Sequence, residues 1–371
     1  MIRLSKSCIG EEEKKAVCAV LDRGFLGMGQ EVKLFEDELR SFIGTNNEVI
    51  CVNTGTAALH LALLCLDIGP GDEVLVPTIT YVASFQAISA TGATPVACDV
   101  LENSVFIDVV DAEKRITENT RAIMPVHYAS NSSDIPKVYE LAKKYQLRVV
   151  EDAAHSFGCI RNGNRIGFDG DVVCFSFDGI KNITSGEGGA VVTADQLLAN
   201  RIKDARLLGV KKDTEKRFSG QRSWSFDVEY QGFRYHMSDI MASIGRAQLK
   251  RFDQLATARR EIAKKYVCGL SGYAQLRMLN LNYEEVVPHI FPVFFSSTEI
   301  RDQVEKCLLE QNVEVGRHYQ PNHTLTYFRE SISPLQNAEK LFSEMLTLPM
   351  HPSLDEGNIQ KIISIIKLVK R

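Results

Sequence analysis

EVICVNTGTAALHLALLCL, residues 48–66, changes its period halfway along. The first five residues are short, β-type and nearly all apolar, the pattern of a strand buried on both faces. From Gly55 onward the residues are helix formers, and Gly-Thr-Ala sits where a helix would begin. A buried strand passing through a tight turn into a helix is half of a βαβ unit. The following hundred residues repeat the alternation. DEVLVP (72–77) precedes YVASFQAISATG, and ATPVACDV (93–100) follows. RAIMPVHY (121–128) precedes IPKVYELAKKY, and LRVVEDAA (147–154) comes next. Two more apolar runs, VVCFSF and GGAVVT, flank a glycine-rich turn. The expectation is an α/β domain with a mostly parallel sheet and helices on both sides, whose ligands lie at the carboxyl ends of the strands.

The pattern changes after about residue 237. Residues 238–270 read as one long helical segment without proline. IFPVFF (290–295), a helical run over 299–311, VEVGRHY (313–319) and a C-terminal helix then describe a smaller α+β unit. The predicted division is residues 1–250 and 251–371, which suits a 371-residue chain.

Composition narrows the partners. A net charge of −4 and the absence of any basic block argue against a nucleic-acid binder. No apolar run reaches membrane-spanning length, and MIRLSKSCIGEEEKK lacks the apolar core of a signal peptide. The nine cysteines are scattered, without a CxxC pair, so neither a metal site nor a disulfide framework is expected. A cytoplasmic protein fits best.

Several polar residues fall at strand ends. Gly55, Thr56 and Ala57 open a helix whose backbone N–H groups favour an anion, although a plain threonine cap explains the same residues. Glu151 and Asp152 end an apolar strand, where a carboxylate needs a positive partner, a structural ion pair or a ligand. Ser176 and Lys181 follow another strand end, in FSFDGIKNITSGEGG (175–189). A lone lysine is usually a solvated surface group. Together, an anion-binding helix start, a carboxylate and a lysine are what pyridoxal phosphate requires: donors for the phosphate, a partner for the pyridinium nitrogen, and an amine for the aldehyde. Tyr81, after DEVLVP, offers an aromatic face for the ring.

GTAALHLAL, DEVLVPTITYVAS, GATPVACDV, MPVHYA, VVEDAAHSFG, FSFDGIKNITSGEGG and LPMHPSL resemble the DegT/DnrJ/EryC1/StrS family of sugar aminotransferases. The similarity runs from about residue 2 to the C-terminus. It implies a fold type I architecture, with a large domain built on a mostly parallel seven-stranded sheet and a smaller α+β domain, working as a homodimer with shared active sites. It also implies that Lys181 forms the Schiff base with pyridoxal phosphate and shuttles a proton once released. By the same resemblance Ser176, with the backbone of Thr56 and Ala57 beside Gly55, would hold the phosphate, Asp152 the pyridinium nitrogen, and His155 the phenolic oxygen, with Tyr81 stacked on the ring. A dehydratase offshoot carries His at the lysine position, so Lys181 favours transamination.

Two blocks depart from the family pattern. Asp178 stands where His or Tyr is frequent, and GFRYHMSD (232–239) puts Arg234 where an asparagine reaches the phosphate across the dimer, and His236 where Arg is frequent. A guanidinium can bind phosphate with two hydrogen bonds. An interface ion pair is the other reading of Arg234. The family's donor is L-glutamate, leaving as 2-oxoglutarate, and its acceptor is a nucleotide-linked keto sugar. Candidate substrate contacts are Gly27 in GFLGMG, Glu187, and His318, Tyr319 and His323 in RHYQPNH, with ordinary packing as the alternative for the two histidines. Trp224 falls in a loop that either stacks on a base or lies at the dimer interface. The expected acceptor is a 4-keto-6-deoxy sugar, dTDP-4-keto-6-deoxyglucose first, for O-antigen or other surface glycan synthesis. A 3-keto sugar, or a regulatory protein without turnover, are the alternatives.

Overall fold

The computed structural model describes residues 1–329 and 334–369. Two helices, α1 (Glu11–Arg23) and α2 (Gln30–Ile43), lead into β1 (Glu48–Val52). The expected alternation follows: α3 (Gly55–Cys65), β2 (Glu73–Pro77), α4 (Ala83–Ala90), β3 (Thr94–Cys98), α5 (Val109–Lys114), β4 (Thr120–Ile123), α6 (Ile135–Tyr145) and β5 (Arg148–Asp152). A small hairpin, β6 (Ile160–Arg161) and β7 (Asn164–Arg165), precedes β8 (Val172–Ser176) and β9 (Gly189–Thr193). Helices α7 (Gln196–Ala205), α8 (Asp213–Phe218), α9 (Asp239–Lys250) and α10 (Phe252–Leu270) come next. The chain ends with β10 (Leu276–Met278), β11 (Phe291–Phe295), α11 (Thr298–Glu310), α12 (Gln336–Glu344), β12 (Met345–Leu348) and α13 (Glu356–Leu368).

The main sheet has seven strands in the order β1-β9-β8-β5-β4-β2-β3. Pairs β2/β3, β2/β4, β4/β5 and β5/β8 are parallel, while β9 runs antiparallel to both β1 and β8. The carboxyl ends of β1, β2, β5 and β8 therefore share one edge. Strand β9 returns directly from that edge, and Lys181 lies in the connection that turns the chain around. Successive strand residues face opposite sides. Ile50, Val52, Val150 and Cys174 enter a core under α3, α4 and α7. Val49, Cys51, Val173 and Phe175 enter another with Phe35, Leu39 and Phe157.

The helical segment over 238–270 is not one helix. It breaks at Arg251 (φ −100°, ψ 7°) into α9 and α10. The break lets Arg251 pair with Glu13 of α1 at 2.8 Å, while Phe252 packs edge-on against Phe42 and Phe157. Beyond it, α10, α11 and α13 enclose a separate core with the antiparallel sheet β10-β11-β12. Ile2 packs on that core and pairs with Val313, so the first residues are built into the last third of the chain. We propose that the chain divides into two units at the Arg251 break. Among the described residues no helix is long and apolar enough to cross a membrane.

Candidate active site

The shared strand edge opens into a cavity of about 450 Å³. Ten of the residues singled out from the sequence line it: Gly55, Thr56, Tyr81, Asp152, His155, Ser176, Lys181, Glu187, His318 and Tyr319.

At one end lies the start of α3. Thr54 caps it, its hydroxyl accepting the Ala57 N–H at 3.0 Å. In this structure the cap takes the Ala57 N–H that the sequence offered to a phosphate, and Ala57 is buried in the core. The N–H groups of Gly55 and Thr56 are the open donors at the helix start. Ser176, at the end of β8, adds a hydroxyl. A Cβ on Gly55 would sit 2.7 Å from Ser176 Cβ and 3.0 Å from its Oγ, so only glycine brings the two elements this close. The result is a small cradle of N–H and O–H donors, suited to a phosphate.

Asp152 is buried at the end of β5. Its Oδ2 accepts the Ser84 hydroxyl at 2.7 Å and its Oδ1 the Ala154 N–H at 3.2 Å. Among the described residues it has no ion-pair partner. A buried carboxylate held by a hydroxyl and one amide lacks the cation it needs, and a protonated ring nitrogen in the cavity would supply one.

Lys181 is half-buried, with Nζ 3.3 Å from His289 Nε2. Desolvation draws its pKa down to about 8 against the pull of Asp152 and Asp178, so a free amine is accessible near neutral pH. Three histidines surround it. Burial first, and then the Lys181 charge, hold His155 and His289 well below the usual histidine range, and the same two causes take His318 to about 4. All three are neutral at pH 7. His155 Nε2 lies 3.1 Å from the Tyr319 hydroxyl, and the Tyr81 ring stands 5.7 Å from that of Tyr319. At the mouth, partial burial and then the Asp178 carboxylate push the pKa of Glu187 up.

Four other residues singled out from the sequence lie outside the cavity. His323 is a correction: its Nδ1 meets Thr78 Oγ1 at 2.8 Å and its Nε2 meets Glu339 at 3.2 Å, so packing claims both nitrogens. Gly27 sits in the connection between α1 and α2, its carbonyl accepting the Asp239 N–H. Arg234 is exposed, on a segment whose backbone pairs with Leu207, and Trp224 is 91% exposed on the same stretch. Sequence reasoning missed Ser84, three residues after Tyr81. It also missed His289, just before β11, and Arg259, buried in α10. The guanidinium of Arg259 donates to the carbonyls of Ile180 and Lys181 at 3.1 and 3.2 Å and to that of His289 at 3.3 Å. Nothing local marks these last two, which reach the lysine from the far unit.

A lysine amine and a buried carboxylate at one edge of a mostly parallel sheet, beside a glycine-lined anion cradle, define the layout of a fold type I pyridoxal-phosphate enzyme. The chain belongs to the DegT/DnrJ/EryC1/StrS aminotransferase family, whose model matches residues 7–367. SpsC of Bacillus subtilis, a spore coat polysaccharide biosynthesis protein, is 33% identical over 371 residues, covering 97% of this chain and 94% of that protein. The putative sugar aminotransferase Spr1654 from Streptococcus pneumoniae, in its PMP form, matches with a TM-score of 0.91 at 30% identity over 98% of this chain and 96% of that one. The PLP form of Spr1654 is also similar, with a TM-score of 0.90. Helicobacter pylori PseC, an aminotransferase involved in the biosynthesis of pseudoaminic acid, matches at 28% identity and a TM-score of 0.90 over 98% of both chains. The protein is a pyridoxal-phosphate-dependent sugar aminotransferase.

Proposed function

We propose that this enzyme moves the amino group of L-glutamate to the 4-keto carbon of a nucleotide-linked 4-keto-6-deoxy sugar. Our first choice of acceptor is dTDP-4-keto-6-deoxyglucose, giving a 4-amino-4,6-dideoxy sugar for O-antigen or another surface glycan, with 2-oxoglutarate released. The observation that carries the chemistry is the Lys181 amine, its pKa drawn down to about 8, in one cavity with the Asp152 carboxylate, which has no ion-pair partner among the described residues. Support for a glycan role comes from SpsC and PseC, which are named for polysaccharide and sugar-acid biosynthesis.

Bound here, pyridoxal phosphate supplies an electron sink for the carbon that carries the amine. Asp152, its orientation fixed by Ser84, would keep a proton on the ring nitrogen. Gly55, Thr56 and Ser176 would hold the phosphate. Lys181 would offer its amine to the cofactor's aldehyde, and the same amine would hold or move the proton at the donor's α-carbon. The neutral histidines around it add no positive charge to compete with that proton.

A homodimer with shared sites completes the picture. Glutamate carries two carboxylates and the acceptor two phosphates, yet among the described residues no arginine lines the cavity. Arg234, exposed and without a side-chain partner among the described residues, is our choice for the cation supplied to the second copy. Reduced thiols at all nine cysteines favour the cytoplasm.

The test is an absorbance experiment on the holoenzyme. L-glutamate is expected to convert the cofactor to its pyridoxamine form. After glutamate is removed, nucleotide-linked 4-keto and 3-keto sugars are added singly. Recovery of the original spectrum with dTDP-4-keto-6-deoxyglucose supports the proposal. Recovery only with a 3-keto sugar moves the reaction to C3, and no response to glutamate sinks the donor assignment.

A further inference from the structure

We propose that His289 is a positioning residue for the Lys181 amine, and that Arg259 sets the distance between the two. The inference rests on the assignment of Lys181 as the cofactor lysine. His289 is 3% exposed, and its Nε2 lies 3.3 Å from Lys181 Nζ. Its backbone is held on both sides: its N–H donates to Ser130 Oγ at 3.3 Å, and its carbonyl accepts from Arg259 Nη1 at 3.3 Å. Its ring packs on that of His155, with centroids 4.4 Å apart. Nδ1 has no partner among the described residues. Among the described residues the Lys181 amine is therefore the one hydrogen-bond partner of the ring.

The geometry has a chemical consequence. A lysine side chain ends in a freely turning Cε–Nζ bond with three staggered settings. A free amine has two N–H groups and one lone pair. When one N–H donates to a fixed acceptor, rotation stops and the lone pair is aimed. With its proton on Nδ1, neutral His289 is a suitable acceptor for both states of the amine: Nε2 accepts from –NH₂ and, more strongly, from –NH₃⁺. Arg259 then keeps the register. Its Nη2 binds the carbonyls of Ile180 and Lys181 while its Nη1 binds those of Pro288 and His289. One buried guanidinium thus fixes the backbones of both partners, which come from different units of the chain. The other charged and titratable groups facing the amine are Asp152 on β5, Asp178 in the β8–β9 turn, and His155 and His318 across the cavity.

The test compares His289→Leu, which removes the acceptor, with His289→Gln, which places an amide oxygen near the Nε2 position. In stopped-flow measurements on the holoenzyme, His289→Leu is expected to slow the glutamate half-reaction about 10- to 100-fold with little change in the KM for glutamate. It should also raise the primary isotope effect with α-deuterated glutamate. His289→Gln should recover most of the rate. A second readout needs no cofactor: Lys181 in the cofactor-free protein is acylated across a pH series and quantified by peptide mass spectrometry. Its midpoint, about 8 in the unaltered chain, should fall in His289→Leu, because an acceptor for the ammonium is lost, and return in His289→Gln. An unchanged isotope effect and midpoint in His289→Leu overturn the proposal. Equal damage in both variants, matched by equal loss of melting temperature, also overturns it and leaves His289 a packing residue. If the unaltered holoenzyme itself fails to react with glutamate, it is the function that falls, and the acylation midpoint still decides whether His289 governs the amine.

Discussion

Glu151 and Asp152 are neighbours on β5 and live in opposite worlds. Because successive strand residues face opposite sides of the sheet, Asp152 points into the cavity and Glu151 away from it. Glu151 is fully buried and accepts from His127 Nε2 at 2.9 Å, Arg161 Nη1 at 2.9 Å and the Tyr139 hydroxyl at 2.8 Å. Burial alone would raise its pKa, but the hydrogen bonds and charges of His127 and Arg161 outweigh that and hold it at about 2. His127 goes on to Ser156 Oγ at 2.6 Å. That gives serine, histidine and carboxylate in a nucleophile-like order, but all three are sealed from solvent. Asp152 has a hydroxyl and an amide and no cation. The difference teaches how to read a buried carboxylate: with every partner inside the chain it braces the fold, and with its cation missing it marks a ligand site.

The sharpest break in that comparison is at the lysine. Lys181→Ala removes the amine that both anchors the cofactor and moves the proton. Transfer is expected to fall by at least roughly 1000-fold, and borohydride should trap no cofactor on the chain. A persistent reducible adduct would move the assignment to another lysine. Asp152→Asn comes next. It keeps the shape and removes the charge that the ring nitrogen needs, so turnover should drop on the order of 100- to 1000-fold while most of the cofactor stays bound. Near-normal turnover would mean that another group holds the nitrogen.

Glu151→Gln should do the reverse. It leaves His127 buried without its carboxylate and Arg161 with only Asp169, at 2.9 Å, so unfolding in denaturant should show a loss of about 3–5 kcal/mol, while the rate per folded molecule stays within a few-fold. The pH dependence has a definite sign. The carboxylate binds its proton less readily in the folded chain than at its ordinary value of 4.5. Its stabilisation is therefore complete above about pH 4.5 and is lost as the pH falls toward 2. The unaltered protein should lose stability through that window more steeply than Glu151→Gln. Equal slopes would show that the Glu151 network does not brace the fold.

Much of this was readable in the sequence wherever spacing along the chain decides the outcome. The strand-to-helix change at residues 48–66 marks β1 and α3, and the FSFDGIKN stretch puts Lys181 just past a strand end. Local patterns could not separate the roles of Glu151 and Asp152, because both sit in one apolar run and only the partners brought by the fold distinguish them. The break at Arg251 was hidden for the same reason. No proline or glycine marks it, and the contacts that go with the bend, Arg251 to Glu13 on one side and Phe252 to Phe42 and Phe157 on the other, come from distant parts of the chain. His289 and Arg259 reach the lysine from the far unit, with no motif to announce them.

The mildest test concerns His323, which the RHYQPNH stretch placed among the substrate contacts. Its two ring nitrogens are engaged by Thr78 and Glu339, whereas His155, His289 and His318 each line the cavity with a buried Nδ1 that has no partner among the described residues. On this reading His323 belongs with His127 and not with the cavity histidines. His323→Ala removes two hydrogen bonds that tie the β2 end to α12, so a loss of about 1–2 kcal/mol in denaturant unfolding is expected. The glutamate half-reaction and the KM for the sugar should be unchanged. A raised KM for the sugar with unaltered stability would return His323 to the binding site, and would mean that engaged nitrogens do not distinguish a bracing histidine from a binding one.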